Sequence, residues 1–144
     1  VNTHDMPPAA GYLEYGHVKL REQLGLLSGP VEEFQKSATA EHNAMLNMLV
    51  EEGYLDKAAL DDEAANENEI IDALYRGLKG SPCKLMAASI VDAVGEKRTQ
   101  NQPGTNNEYP NWRIPLADGE GNVVPLEKLF DEPRLQEITA IMRG

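Results

Sequence analysis

Residues 84–113 read KLMAASIVDAVGEKRTQNQPGTNNEYPNWR, and the rest of the chain takes its meaning from them. The first part, residues 85–94, gathers Leu85, Met86, Ala87, Ala88, Ile90, Val91, Ala93 and Val94 ahead of Gly95. An apolar run this short, closed by a glycine, predicts a strand buried on both faces. Composition then flips. Residues 95–111 are almost empty of apolar side chains. They carry Gly95, Gly104, Pro103 and Pro110, with the amides Gln100, Asn101, Gln102, Asn106, Asn107 and Asn111. Trp112 and Arg113 close the stretch. A buried parallel strand opening into a long polar loop is the arrangement in which α/β folds carry a site.

Side-chain amides donate and accept hydrogen bonds, as sugar hydroxyls do. Tyr109, Trp112 and Arg113 add flat faces and a fixed fork of donors. The same Asn, Gln, Gly and Pro residues are also the ordinary vocabulary of turns. Residue types alone therefore leave a sugar-binding loop and a plain surface loop on equal footing.

The order of the residues separates the two. Asn101-Gln102-Pro103-Gly104, followed by Asn111-Trp112-Arg113, resembles the N-x-P-G…N-W-R signature of the amylomaltases. These are the 4-α-glucanotransferases, or disproportionating enzymes, of glycoside hydrolase family 77. Residues 90–95 resemble that family's last barrel strand. Thr3-His4-Asp5, with Pro7-Pro8 and Gly11-Tyr12 behind it, resembles the segment at the end of the seventh strand. Two motifs in this order, with a helical region between them, are far more specific than either one alone.

The resemblance implies the C-terminal portion of a (β/α)₈ barrel, with strand-7 end, helical insertion, strand 8 and closing helix. Residues 1–144 then form a single segment of a longer catalytic barrel, which makes Val1 an internal start. The implied activity moves α-1,4-glucan between maltooligosaccharides by retaining double displacement. Asp5 matches the family's transition-state-stabilising aspartate, and His4 and Asn101 match hydroxyl-binding residues. Pro103-Gly104 shapes the turn that presents Asn101. Asn111, Trp112 and Arg113 are expected to brace the loop. Nothing in the chain matches the nucleophile or the acid/base, so both are expected upstream, and the chain alone is expected to be inactive. No metal or other cofactor is implied.

Composition sets the outer bounds. The 144 residues suffice for a core, and the net charge is −11. No stripe of Lys and Arg offers itself to phosphates, so nucleic acid and anionic membranes are not expected partners. No apolar run has the length of a membrane span. The single cysteine, Cys83, cannot form an internal disulfide, which suits a reducing cytoplasm.

Apolar spacing predicts helices over residues 11–27 (Leu13, His17, Leu20, Leu24) and 31–53 (Phe34, Ala38, Met45, Leu46, Leu49, Val50). A third covers residues 68–79 (Ile70, Ile71, Leu74, Tyr75, Leu78). A short turn of helix is expected near Leu60, a hairpin-like turn at residues 118–122, and helices at 126–131 and 133–143. The methionines in these helices read as core filling. Residues 1–10 read as a strand end and loop. His17 and His42 read as ordinary surface or helix-face residues, and the acidic run Asp61-Asp62-Glu63 as a solvated face. The expected class is mainly α with one or two short strands.

One parallel strand lacks neighbours for its backbone groups. Residues 85–94 are therefore expected to stay unpaired, to pair with a second copy of the chain, or to turn helical. Two other readings compete. One is an acidic helical interaction module without catalysis, whose motifs are chance. The other is a metal-dependent hydrolase on His4-Asp5, which lacks a second His-Asp or His-Glu grouping to complete a ligand set. Two further carboxylates in sequence upstream of Val1 would exclude the interaction module.

Overall fold

The structure is a computed structural model and describes residues 3–143. Its axis is helix α4, Glu67–Gly80. Ile70, Ile71, Ala73 and Tyr75 on this helix are fully buried, each at 0 % exposure. They face two ways because consecutive residues on a helix point about 100° apart. Ile70 and Ala73 join Leu46, Leu49, Leu55 and Ala59 in one apolar cluster. Ile71 and Tyr75 join Ala9, Ala10, Ala93 and Ile138 in the other. Each buried isoleucine contributes roughly 1.5–3 kcal/mol, so α4 couples the two clusters energetically as well as geometrically.

The first cluster rests on α3, Val31–Glu51. Pro30 precedes that helix, and Glu32 and Glu33 sit in its first turn, where the helix dipole favours negative charge. Its inward face reads Ala38, His42, Leu46, Leu49, a spacing of four, four and three. A 3-10 turn, Lys57–Asp62, returns the chain to α4, with the Asp56 side chain accepting from Ala58 N–H at its start.

The second cluster is built by α1 (Ala9–Leu13), the single turn α5 (Ile90–Ala93) and the last helix, α7 (Pro133–Arg143). The remaining helices are α2, Gly16–Gln23, which packs on α1 and α3, and α6, Leu126–Leu129.

The spacing predictions hold for α3, α4, α7, the 3-10 turn around Leu60 and the turn at 118–122. That turn closes through an antiparallel bridge between Ala117 and Val123. Residues 11–27 differ in one respect. The expected helix is two helices, broken where Tyr15 adopts a left-handed conformation at φ 58°. Pro8 fixes the start of α1 at Ala9, since proline suits the entry to a helix and cannot lie inside one. Residues 3–6 form a turn in which Met6 N–H donates to the Thr3 carbonyl. Of the strand end and loop expected over residues 1–10, residues 1–2 lie outside the described residues, and Ala9 and Ala10 belong to α1 rather than to a loop.

The predicted buried strand at 85–94 is not present. Residues 85–89 lie in no helix and, among the described residues, in no β pairing, and Leu85 is 95 % exposed. Ile90–Ala93 then make a helical turn, closed by Gly95 at φ 72° and by Glu96 N–H donating to the Val91 carbonyl. The cause is the missing neighbour. A parallel strand satisfies its amides only against other strands, and among the described residues the only β pairing is the distant bridge at 117–123.

His42 also differs from its reading. It is 2 % exposed on the inward face of α3, its Nε2 2.6 Å from Glu63 Oε2. The aromatic rings of Tyr12 and Tyr15 flank it. Glu63 is thereby half-buried and paired rather than part of a solvated acidic face.

Candidate active site

The two sequence motifs meet. Asp5 Oδ1 accepts a hydrogen bond of 2.6 Å from Asn101 Nδ2, across 96 residues of chain. His4 Nε2 lies 3.1 Å from the same oxygen. The His4 ring stands 5.5 Å from the Trp112 ring, tilted by 37°. Both contacts to Asp5 fall on Oδ1, and among the described residues Oδ2 has no partner. His4 and Asp5 are well exposed, their side chains at 61 % and 46 %. His4 lines an open cleft of about 360 Å³ together with Met6, Ala88, Ser89, Gln100 and Trp112, among others, and Asp5 is its neighbour in the chain.

The loop that carries Asn101 is held from within. Gln102-Pro103-Gly104-Thr105 forms a β-turn, with Thr105 N–H donating to the Gln102 carbonyl and Gly104 at φ 86°. Proline at the second position and a left-handed glycine at the third define a type II turn. Asn111 spans the loop. Its Oδ1 accepts from Gln102 N–H at 2.7 Å and its Nδ2 donates to Thr105 Oγ1 at 2.8 Å.

Trp112 N–H donates to the Gln100 carbonyl, so the residues on both sides of Asn101 are pinned. The Trp112 indole is not packed away. It is 63 % exposed, on a residue with φ 60°. Arg113 is exposed, and its N–H donates to the Pro110 carbonyl. Tyr109 turns inward, its hydroxyl donating to the Thr99 carbonyl at 2.6 Å. Burial raises the pKa of this hydroxyl.

Three polar residues that support this geometry escape a motif reading. Asp92 is 1 % exposed; its Oδ1 accepts from Ala9 N–H at 2.8 Å and its Oδ2 from the Tyr75 hydroxyl at 2.6 Å. Burial, and then that hydrogen bond, hold the Tyr75 hydroxyl far above the ordinary tyrosine range. Glu96, also 1 % exposed, accepts from the backbone N–H groups of Lys97, Arg98 and Ala117 and from the Arg98 guanidinium. Burial alone would raise the Glu96 carboxyl, but the Arg98 guanidinium and these amides outweigh it and hold the pKa below the usual carboxylate value. The available signal for Asp92 was an acid in the middle of an apolar run. For Glu96 it was an acid two residues from an arginine.

This cleft, with its paired motifs, can be set beside known proteins. A model of glycoside hydrolase family 77, described as 4-alpha-glucanotransferase, matches residues 1–119. The chain belongs to the 4-alpha-glucanotransferase family. A 4-alpha-glucanotransferase of Mycobacterium tuberculosis is 46 % identical over 144 residues, which cover 100 % of this chain and 19 % of that protein. One from Haemophilus influenzae is 27 % identical over 139 residues, 94 % of this chain and 19 % of its own length. The crystal structure of amylomaltase from Corynebacterium glutamicum superposes with a TM-score of 0.87 at 36 % identity, covering 99 % of this chain and 21 % of that one. The chain thus spans about a fifth of the length of these 4-alpha-glucanotransferases. The helical architecture is shared with that crystal structure.

Proposed function

We propose that residues 1–144 are the C-terminal segment of the catalytic barrel of a 4-α-glucanotransferase. In this reading the residues before α1 end the seventh barrel strand and α1–α4 form a helical insertion. Residues 85–88 enter the barrel as its eighth strand ahead of the α5 turn, and α7 closes the barrel. The course of residues 85–88 supports this, since among the described residues they lie in no helix and no β pairing and are available to a ladder. The enzyme acts in the cytoplasm on maltooligosaccharides or α-glucans and needs no cofactor.

The observation that carries the reading is the Asp5–Asn101 contact beside His4 and Trp112. Retaining transfer passes through a positively charged sugar-ring transition state. A fixed carboxylate stabilises that charge more than it stabilises the neutral ground state. Asn101 holds one oxygen of Asp5 and leaves the other for the sugar. His4 and Asn101 supply hydroxyl contacts. Pro103, Gly104 and Asn111 keep the loop in shape, and the backbone of Trp112 and Arg113 closes it. The nucleophile and the acid/base come from upstream strands, placed roughly 5 Å apart across the glycosidic bond.

The test compares two proteins. Purified residues 1–144 and the longer enzyme that carries them are each incubated with maltotriose, and the products are separated by chromatography. The longer enzyme should release glucose and longer maltooligosaccharides, and residues 1–144 should release neither. Turnover by residues 1–144 that vanishes in Asp5→Ala would place a complete site inside this segment and contradict the assignment.

A further inference from the structure

Asp92 adds directed polar contacts to pieces of chain that the apolar cluster of Ala9, Tyr75 and Ala93 already brings together. Its Oδ1 holds the N–H of Ala9, the first residue of α1, directly behind the His4–Asp5 turn. Its Oδ2 holds the hydroxyl of Tyr75 on α4. That hydroxyl also accepts the N–H of Ser89 at 3.0 Å. Ser89 and Pro8 both line the cleft that His4 and Trp112 border. One wall of the cleft and the base of the His4–Asp5 turn are therefore tied to the same buried carboxylate and phenol.

A buried carboxylate is costly unless donors compensate it, and apolar side chains of similar volume would fill the same space without that cost. What the polar pair adds is direction. Charge-assisted hydrogen bonds are short and angularly selective, and they fix the segments they join more narrowly than apolar contact does.

We propose that Tyr75 and Asp92 are positioning residues of the glucan cleft, setting the His4–Asp5 turn against the Ser89 wall so that Asp5 meets Asn101. This rests on the reading of the cleft given above. Neither residue touches the sugar. Both act through the placement of Asp5, where an error near 1 Å costs on the order of a hundredfold in rate.

The experiment uses Tyr75→Phe and Asp92→Asn in the longer enzyme. Each keeps the shape of the side chain and alters the hydrogen bonds. Leu49→Val, in the other core cluster, serves as a control for stability alone. Two readouts are taken: kcat and KM for maltotriose, and amide hydrogen exchange of the peptides containing Ala9 and Ser89. Expected are a fall in kcat of about tenfold or more with KM within about twofold, and faster exchange at both peptides. The control should lose thermal stability without either change.

A kcat that follows the loss of stability equally in all three variants would overturn the proposal. So would unchanged exchange at Ala9 and Ser89. If the unaltered enzyme transfers no glucan, the reading of the cleft fails, while the exchange measurement still decides whether the tether exists.

Discussion

Gly11 lies against the backbone of Lys97, and a Cβ at this position would overlap the Lys97 carbonyl oxygen. The obstacle is main chain, so no rotamer relieves it. Gly11→Ala should therefore destabilise the protein by about 1–3 kcal/mol or more, read as a lower urea midpoint with unchanged slope. The same close approach brings α1 to the polar loop, and Lys97 pairs with Glu14 one turn further on. Glu96 acts at this junction as well. Its depressed pKa means that the folded state holds its proton more weakly than the unfolded chain does, whose ordinary value is 4.5. The Glu96 contribution is therefore fully present above that value and lost as pH falls through the lower, folded one. Glu96→Gln should cost about 1.5–3 kcal/mol at pH 7, and the gap to the unaltered protein should shrink below about pH 4. Urea unfolding from pH 3 to 7 measures it. A gap that stays constant over that range would show that Glu96 carries no linked charge.

The elements differ in how they are held, and residues 85–94 show it most clearly. Their first half lies in no β pairing among the described residues. If residues 85–88 become the eighth strand of the longer enzyme, their amides should exchange with solvent much faster in residues 1–144 than in the longer enzyme, where the ladder protects them. Equal exchange in both would remove the barrel assignment. The same segment shows why only part of the fold was legible. Helices α3, α4 and α7 announce themselves because each buries a stripe at three- and four-residue spacing, which local sequence records. A strand depends on partners that local sequence does not record, so an apolar run could be read as a strand while Leu85 lies open to solvent. Asp92 warned against the simple reading, since an acid within a buried run requires donors, and these come from Ala9 and Tyr75, 83 and 17 residues away. The break at Tyr15 was hidden because a left-handed tyrosine leaves no pattern of its own. His42 looked like a face residue because its partner, Glu63, sits 21 residues further along. The site was legible as two motifs. That Asp5 and Asn101 are hydrogen-bonded was beyond the reach of spacing.

At the scale of the whole molecule, the chain is a helical body carrying a half-built cleft. The core clusters on either side of α4 make that body; His4, Gln100 and Trp112 line the cleft, and the hydrogen-bonded pair Asp5 and Asn101 lies next to His4 and Gln100 in the chain. Among the described residues no helix is long and apolar enough to cross a membrane. The chain spans about a fifth of the length of related 4-alpha-glucanotransferases, and the function proposed above gives the remaining wall of the cleft to the rest of such an enzyme. The division of labour follows from charge. In the function proposed above, Asp5 stabilises a positive centre that a nucleophile and an acid on other strands generate. The most direct test is maltotriose disproportionation by the longer enzyme carrying Asp5→Asn, which keeps the side chain's shape and removes its charge. The account predicts a kcat lower by roughly two orders of magnitude or more with little change in KM. A kcat near that of the unaltered enzyme would show that Asp5 is not the stabilising carboxylate.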